Sequence, residues 1–393
     1  MAVSPFKLLC GVGLLALFSS TISKSPSLPL LVSHLGGGPA SVGGIASVSA
    51  AAGILCSLPA GILSDRIGRK PMLITSAMVF ATAPFLYLPA REIWQLAIIR
   101  FYHGLATAVF VPVAMALVSD LFAKGRGEKM GWFSTATLLG RFMAPATGGI
   151  ILGLHTADPG AGFRLVYLIC GAAGLCVLAG ALFLPASKPV TQQPGKTTAH
   201  DWRNGLSQLL TNQAIMATCG VEAAILFAYG TFETFLPGHC LAVGLNPYQI
   251  GLCLSSQVIT IALSKPLLGR FSDRHGRPPQ ILIGAMAGAI CIALFSLADS
   301  FPALLALSIL LGFTIAVVTS ASAAHIADLS KAGSHGSAMG ILGSVMDLGH
   351  TTGPLLGGFL AASLHLSAAF LGAGAVLAMA GLLFLRQHTS QTV

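Results

Sequence analysis

The chain has 393 residues, of which 54% are apolar and only 8% charged, with a mean hydropathy of +0.83. A water-facing surface normally draws on about 25% charged residues, so this composition excludes a soluble globular domain and makes hydrocarbon the solvent for most of the chain. The formal net charge of +9 does not make it a nucleic-acid binder, because the basic residues fall in short clusters between apolar runs and not along one face.

A helix that crosses a bilayer needs about 20 apolar residues. Runs of that length occur at 8–32, 41–64, 72–90, 93–119, 131–154 and 162–185. A polar stretch over 186–211 follows, with Pro189, Gln192, Gln193, Pro194, Gly195 and Lys196. Six more runs lie at 212–236, 249–269, 280–299, 302–327, 336–361 and 366–385. The expected protein is an all-α integral membrane protein of 12 transmembrane helices: a six-helix bundle over 1–185, a linker over 186–211 and a second six-helix bundle over 212–393. The first run follows Lys7 in the manner of a signal peptide, but it is too long for an ordinary signal core, and its removal would leave the first half one helix short. It is expected as a retained first helix. The eight cysteines lie mostly inside apolar runs and form no C-x-x-C pair, which supports neither a zinc site nor a redox motif. No metal and no cofactor is expected.

Lys and Arg set the orientation of such a chain. Fifteen of the 21 basic residues fall on one side: Lys7, Arg66, Arg69, Lys70, Lys124, Arg126, Lys129, Lys188, Lys196, Arg203, Arg270, Arg274, Arg277, Lys331 and Arg386. Arg91 and Arg164 fall on the other, and Lys24, Arg100, Arg141 and Lys265 lie within spans. Both termini and the linker are therefore expected in the cytoplasm. An odd number of spans would have scrambled the bias.

The chain repeats itself. Gly61-Ile-Leu-Ser-Asp65-Arg66-Ile-Gly68-Arg69-Lys70 returns as Gly269-Arg-Phe-Ser-Asp273-Arg274-His-Gly276-Arg277, with the aspartates 208 positions apart. The fifth span reads Gly131, Gly140, Ala144-Pro145, Gly148-Gly149, and the eleventh reads Gly340, Gly349, Gly353-Pro354, Gly357-Gly358, at identical spacing and an offset of 209. Parallel repeats of this kind relate halves about an axis along the membrane normal.

On these residues the chain resembles the major facilitator superfamily over essentially its whole length, and within it the twelve-helix drug:proton antiporters. The segment at Gly61, Asp65, Arg66, Gly68, Arg69 and Lys70 looks like the superfamily's signature loop, repeated at Gly269, Asp273, Arg274, Gly276 and Arg277. The fifth span looks like the glycine-proline motif associated with exporters. Leu96, Arg100, His103 and Gly104 are similar to the fourth-span motif, in which the position of His103 is usually Gln. Arg141 departs by placing a charge inside the fifth-span motif, and Ala144 stands for a glycine. The resemblance implies that the aspartates steady one conformation of an alternating-access cycle and that Arg100 takes part in proton coupling.

Each motif also has a reading from its residues. Gly61 and Gly269 suit a close approach of two helices, and Gly68 and Gly276 suit the positive φ of a tight turn. Asp65 and Asp273 can cap a helix N-terminus, pair with a neighbouring Arg, or simply occupy a solvated turn. Gly131 to Gly149 and Gly340 to Gly358 make smooth stripes along which a partner helix can approach, either for motion or for static packing. A charge at the bilayer centre costs at least about 2.5–3.5 kcal/mol and so usually lines a cavity or pairs. The resemblance implies that the first and seventh spans face each other across the cavity, and Pro29 and Pro237 place Glu233 beside the counterpart of Lys24, so the two are expected to approach near an outer gate; alternatively each snorkels alone. Arg100 and His103 share a helix face, as do Asp347 and His350, and Arg141 corresponds to His350 at the 209 offset. Glu222 and Asp347 rank above Glu233 as proton carriers, because an acid in apolar surroundings can carry a proton at neutral pH.

No nucleophile elbow, metal-ligand pair or phosphate-binding loop is present, so neither catalysis nor direct use of ATP is expected. The reading is a secondary transporter, a monomer in the lipid bilayer, that exports a small-molecule substrate in exchange for protons. An importer or facilitator is the first alternative, and a non-transporting receptor or scaffold the second. The absence of an N-x-[ST] sequon and the short loops fit a bacterial inner membrane.

Overall fold

The computed structural model describes residues 4–122, 125–185, 212–330 and 335–392, and every regular element among them is helical. Hydrocarbon offers the backbone no water, so a spanning run of this composition must satisfy its amides internally as a helix. The first half holds α1 (Pro5–Ile22), α2 (Ser27–His34), α3 (Pro39–Ile67), α4 (Arg69–Leu86), α5 (Ile93–Leu121), α6 (Arg126–Leu154) and α7 (Pro159–Leu182). The second holds α8 (Gln213–Ala242), α9 (Pro247–His275), α10 (Arg277–Leu294) with a 3₁₀ turn at Phe295–Leu297, α11 (Phe301–Leu329), α12 (His335–Ser363) and α13 (Leu366–Thr392). With α1 and α2 counted as one crossing, the spans number twelve. Ten candidate spans pass on length and mean hydropathy among the described residues. The two helices that fall short are α4, which opens on Arg69 and Lys70, and α12, which carries Asp347 and His350. The linker expected over 186–211 lies outside the described residues, as do Lys124 and Lys331.

Two expectations about elements need correction. The first run is not continuous: it breaks between Ile22 and Ser27. Pro26 and Pro29 have no amide hydrogen to offer the carbonyls one turn earlier, so the ladder loses two donors at successive turns, and Lys24 sits in the break. The repeated basic segments are also hardly loops. Asp65 and Arg66 belong to α3, Asp273 and Arg274 belong to α9, and one glycine alone separates each helix from the next. Gly68 at φ 98° and Gly276 at φ 89° let one helix stop and another start within a single residue, a conformation side chains rarely adopt. At the opposite end the connections are capped conventionally. Glu92 with Gln95 and Asn246 with Gln249 form capping boxes, and Asp158 accepts from the Ala161 amide at 3.0 Å.

The two halves pack by one scheme. In the first, α1 lies on α6 and α7, α3 on α5, and α4 on α5 and α7. In the second, α8 lies on α12 and α13, α9 on α11, and α10 on α11 and α13. Across the seam α3 meets α12 and α6 meets α9, again as symmetric partners.

These cross-seam contacts concentrate at the end away from the basic segments. A Cβ on Gly149 would lie 2.5 Å from the Pro247 carbonyl, one on Gly251 would lie 2.5 Å from that of Pro145, and one on Gly358 would lie 3.0 Å from that of Pro39. Ser47 Oγ donates to the Thr351 carbonyl at 2.8 Å, and Ser255 Oγ to that of Phe142 at 2.8 Å. Toward the basic end the contacts lapse. Among the described residues, Gly53, Gly131 and Gly269 have nothing within 4 Å of an added Cβ. The close approach expected at Gly269 is therefore absent among the described residues, because here the halves are shut at one end and parted at the other. Gly61 lies in α3 and Gly340 near the start of α12.

Candidate functional site

A cavity of about 430 Å³ lies in the seam, a size that suits a small organic molecule. Its wall runs from Lys24 and Glu233 toward Ser57 and Val111, that is, from the shut end to the basic end. The first half contributes Lys24, Arg100 and Arg141 with the hydroxyls of Ser20, Thr21, Ser49 and Thr107. The second contributes Glu233, Asp347, His350, Gln257 and Tyr229. All the cations on the wall thus come from one half and both acids from the other.

Lys24 and Glu233 meet across the seam at 2.7 Å, Nζ to Oε2. Lys24 also stands 2.9 Å from His350 Nε2, and that nitrogen is 3.5 Å from Glu233. Tyr229, one turn before Glu233 on α8, packs its ring on His350 at 5.1 Å. Asp347 and His350 share a face of α12, as the sequence reading expected, and both line the cavity; the structure adds Lys24 and Glu233 as His350's neighbours, because the seam brings the break of the first span, α8 and α12 to one level. Tyr229 was missed, and its spacing from Glu233 was the available signal. Asp347 lines the cavity, is exposed and makes no ion pair among the described residues.

Arg100 is 2% exposed and donates to Ser23 Oγ at 3.4 Å, with Ser23 in the break of the first span. His103 Nδ1 lies 3.5 Å from the same hydroxyl. Its ring is buried against Phe80 and Tyr87, so it stands behind the cavity wall and not on it. Glu222 also lies off the wall. It is 1% exposed within the second half, its Oε2 unpartnered and its charge within reach of Lys265 on α9. Helical position alone could not separate an acid facing the cavity from one facing its own bundle.

The basic ends carry two copies of one network. Arg69 pairs with Asp65, reaches Asp120 Oδ2 at 3.0 Å through Nε, and donates to Ser64 Oγ at 2.7 Å. Arg277 pairs with Asp273 at 3.1 Å, pairs with Asp328, and donates to Ser272 Oγ at 3.3 Å. Asp65 and Asp273 thus pair rather than cap. Asp120 and Asp328 were missed, although each precedes a Leu at the same 208 offset. Arg66 and Arg274 are exposed and Lys70 half-buried, and none forms an ion pair among the described residues.

The glycine stripes have two faces. Gly140 and Gly148 lie against the first span, Gly149 against α9 across the seam. Gly349, Gly353 and Gly357 lie against α8, Gly358 against α3 across the seam. Pro145 and Pro354 offer their carbonyls at these crossings.

The family model described as Major Facilitator Superfamily matches residues 9–244 and 223–392. The chain belongs to the major facilitator superfamily. Among relatives, the multidrug resistance protein MdtG of Salmonella paratyphi C (strain RKS4594) is 30% identical over 373 residues, covering 90% of this chain and 88% of the relative. MdtG of Proteus mirabilis (strain HI4320) is 28% identical over 320 residues, with 80% and 78% covered. Multidrug resistance protein 2 of Bacillus subtilis (strain 168) is 23% identical over 376 residues, with 93% and 89% covered. Among solved structures, the nucleoside transporter NupG superposes with a TM-score of 0.84 at 14% identity, over 98% of this chain and 99% of that one. A bacterial homologue of the human lysosomal transporter Spinster, inward-facing and occupied, gives 0.81 at 14% identity over 98% and 97%. At that identity the likeness shows the major facilitator fold and nothing about substrate. Among the described residues no group of three or more His, Cys, Asp or Glu is gathered for a metal.

Proposed function

We propose that this chain exports a small organic compound from a bacterial cytoplasm in exchange for protons, by rocking the bundle before residue 186 against the bundle after residue 211. The observation that carries the reading is the seam cavity, shut at one end by glycine contacts, parted toward the basic end and bridged at its head by Lys24 and Glu233. The lysine and arginine bias puts the basic end in the cytoplasm, so the cavity faces the compartment from which an exporter loads. The relatives named for multidrug resistance and the fifth-span motif support export.

In this scheme substrate enters from the basic end and settles below the Lys24–Glu233–His350 cluster. Asp347, unpaired and on the wall, carries the proton. Lys24 and Glu233 part when the shut end opens, and Arg69 and Arg277 hold each half's basic end together during the swing. The test uses proteoliposomes with an imposed pH gradient. Substrate-dependent proton movement opposite to substrate supports antiport. Movement of both in the same direction, or substrate flux indifferent to the gradient, replaces it with an importer or facilitator, a reading against which the fifth-span motif argues less strongly because Arg141 departs from it.

A further inference from the structure

The cavity wall is not charge-balanced. Lys24 has Glu233 as its partner. Arg100 and Arg141 have no carboxylate partner among the described residues, yet both lie within electrostatic reach of Lys24. Arg100 is almost fully buried and its Nε has no hydrogen-bond partner. Gln257, on the same wall and 1% exposed, leaves its Nε2 unpartnered as well. Asp347 forms no ion pair with either arginine. Buried donors left unmade are costly, and a buried charge is held only if something compensates it. A planar guanidinium with free N–H groups is matched by a carboxylate or phosphonate, which accepts two bonds at once. An ammonium head has no acceptor to offer these groups.

We propose that the cavity takes organic anions, with an acidic head received by Arg141 and Arg100, assisted by Gln257, and an apolar body lying along Leu17, Val111 and Val258. The proposal rests on the transport reading for its physiological meaning but concerns binding alone. It also gives Arg141, the departure within the fifth-span motif, a reason to be there: it stands on the wall opposite the acids, where every charge that the first half contributes is cationic.

The experiment measures thermal stabilisation of the full chain in detergent by a matched series on one phenylalkyl body: 4-phenylbutyrate, 4-phenylbutyramide and 4-phenylbutylamine. The butyrate is expected to stabilise at the lowest concentration. Arg141→Gln should weaken its apparent affinity about ten-fold or more, as expected for a lost charge-assisted bond. Arg141→Lys should restore part of that loss. Arg141 faces the cavity and packs against no core, so these variants keep the fold. Equal stabilisation by all three probes, a preference for the amine, or an unchanged butyrate affinity in Arg141→Gln overturns the proposal. The gradient assay separates the two readings. Acid-selective binding without coupled flux removes export and leaves the anion site. Coupled flux carried by the amine alone removes the anion site and leaves export.

Discussion

At the scale of single residues, the chain is governed by the cost of keeping charge away from water. Lys24 and Glu233 are tolerated because each compensates the other across the seam, with His350 beside both. Lys24→Glu and Glu233→Lys should each lose most transport, and the double exchange should recover a substantial part, measured as substrate flux in proteoliposomes. A double exchange as dead as the single variants would mean that the two groups act separately. The pairing was one of two readings open in the sequence: the register from Pro29 and Pro237, with the facing spans that the resemblance implies, allowed it, and separate snorkelling was the other. The same register could not assign Glu222, since helical spacing says which residues share a face but not which bundle that face meets. Asp65→Asn should cut transport while leaving the protein inserted. Asp120→Asn and Asp328→Asn should act in the same direction, since each removes the second acid from an arginine that otherwise holds two. Wild-type flux in all three would remove the network from the cycle.

At the scale of elements, small residues decide where the halves touch. A valine at Gly149 or Gly251 has no room, because the carbonyl of the facing helix already lies 2.5 Å from the added Cβ. Overpacking of this kind costs about 1–3 kcal/mol, and here it acts only when the far end is shut. The expected result is a protein that inserts normally but exposes reporter cysteines at that end to reagents added outside. Gly131→Val, where nothing lies within 4 Å, is the matched control and should leave the labelling unchanged. The identical spacing of the two stripes made them visible in the sequence. What the spacing did not carry is that adjacent glycines, 148 and 149 or 357 and 358, serve different partners, one in the same half and one across the seam. The break in the first span was likewise unread, although the polar stretch from Ser23 to Ser27 and the prolines Pro26 and Pro29 were its signal.

At the scale of the whole molecule, twelve crossings, a midpoint duplication and a strong bias of basic residues fix a plan that single side chains do not disturb. Cysteines placed at 65 and 273 should react with a membrane-impermeant reagent from the same side, and from the inside. Labelling of the two from opposite sides would break the duplicated topology at once. The two arginine networks have a mechanical consequence. Each stitches together the last turn of one long helix, the first turn of the next and the end of a third: α3, α4 and α5 in one half, α9, α10 and α11 in the other. From Gly43, where α3 crosses α12 against the Pro354 carbonyl, to Ile67 the helix runs about 36 Å at 1.5 Å per residue, so in the proposed rocking cycle a swing of about ten degrees about that crossing would carry its tip roughly 6 Å, enough to close a passage sized for a small molecule. Under that proposal the arm must not flex, and the bracing stands at the tips, where slack would waste the most travel.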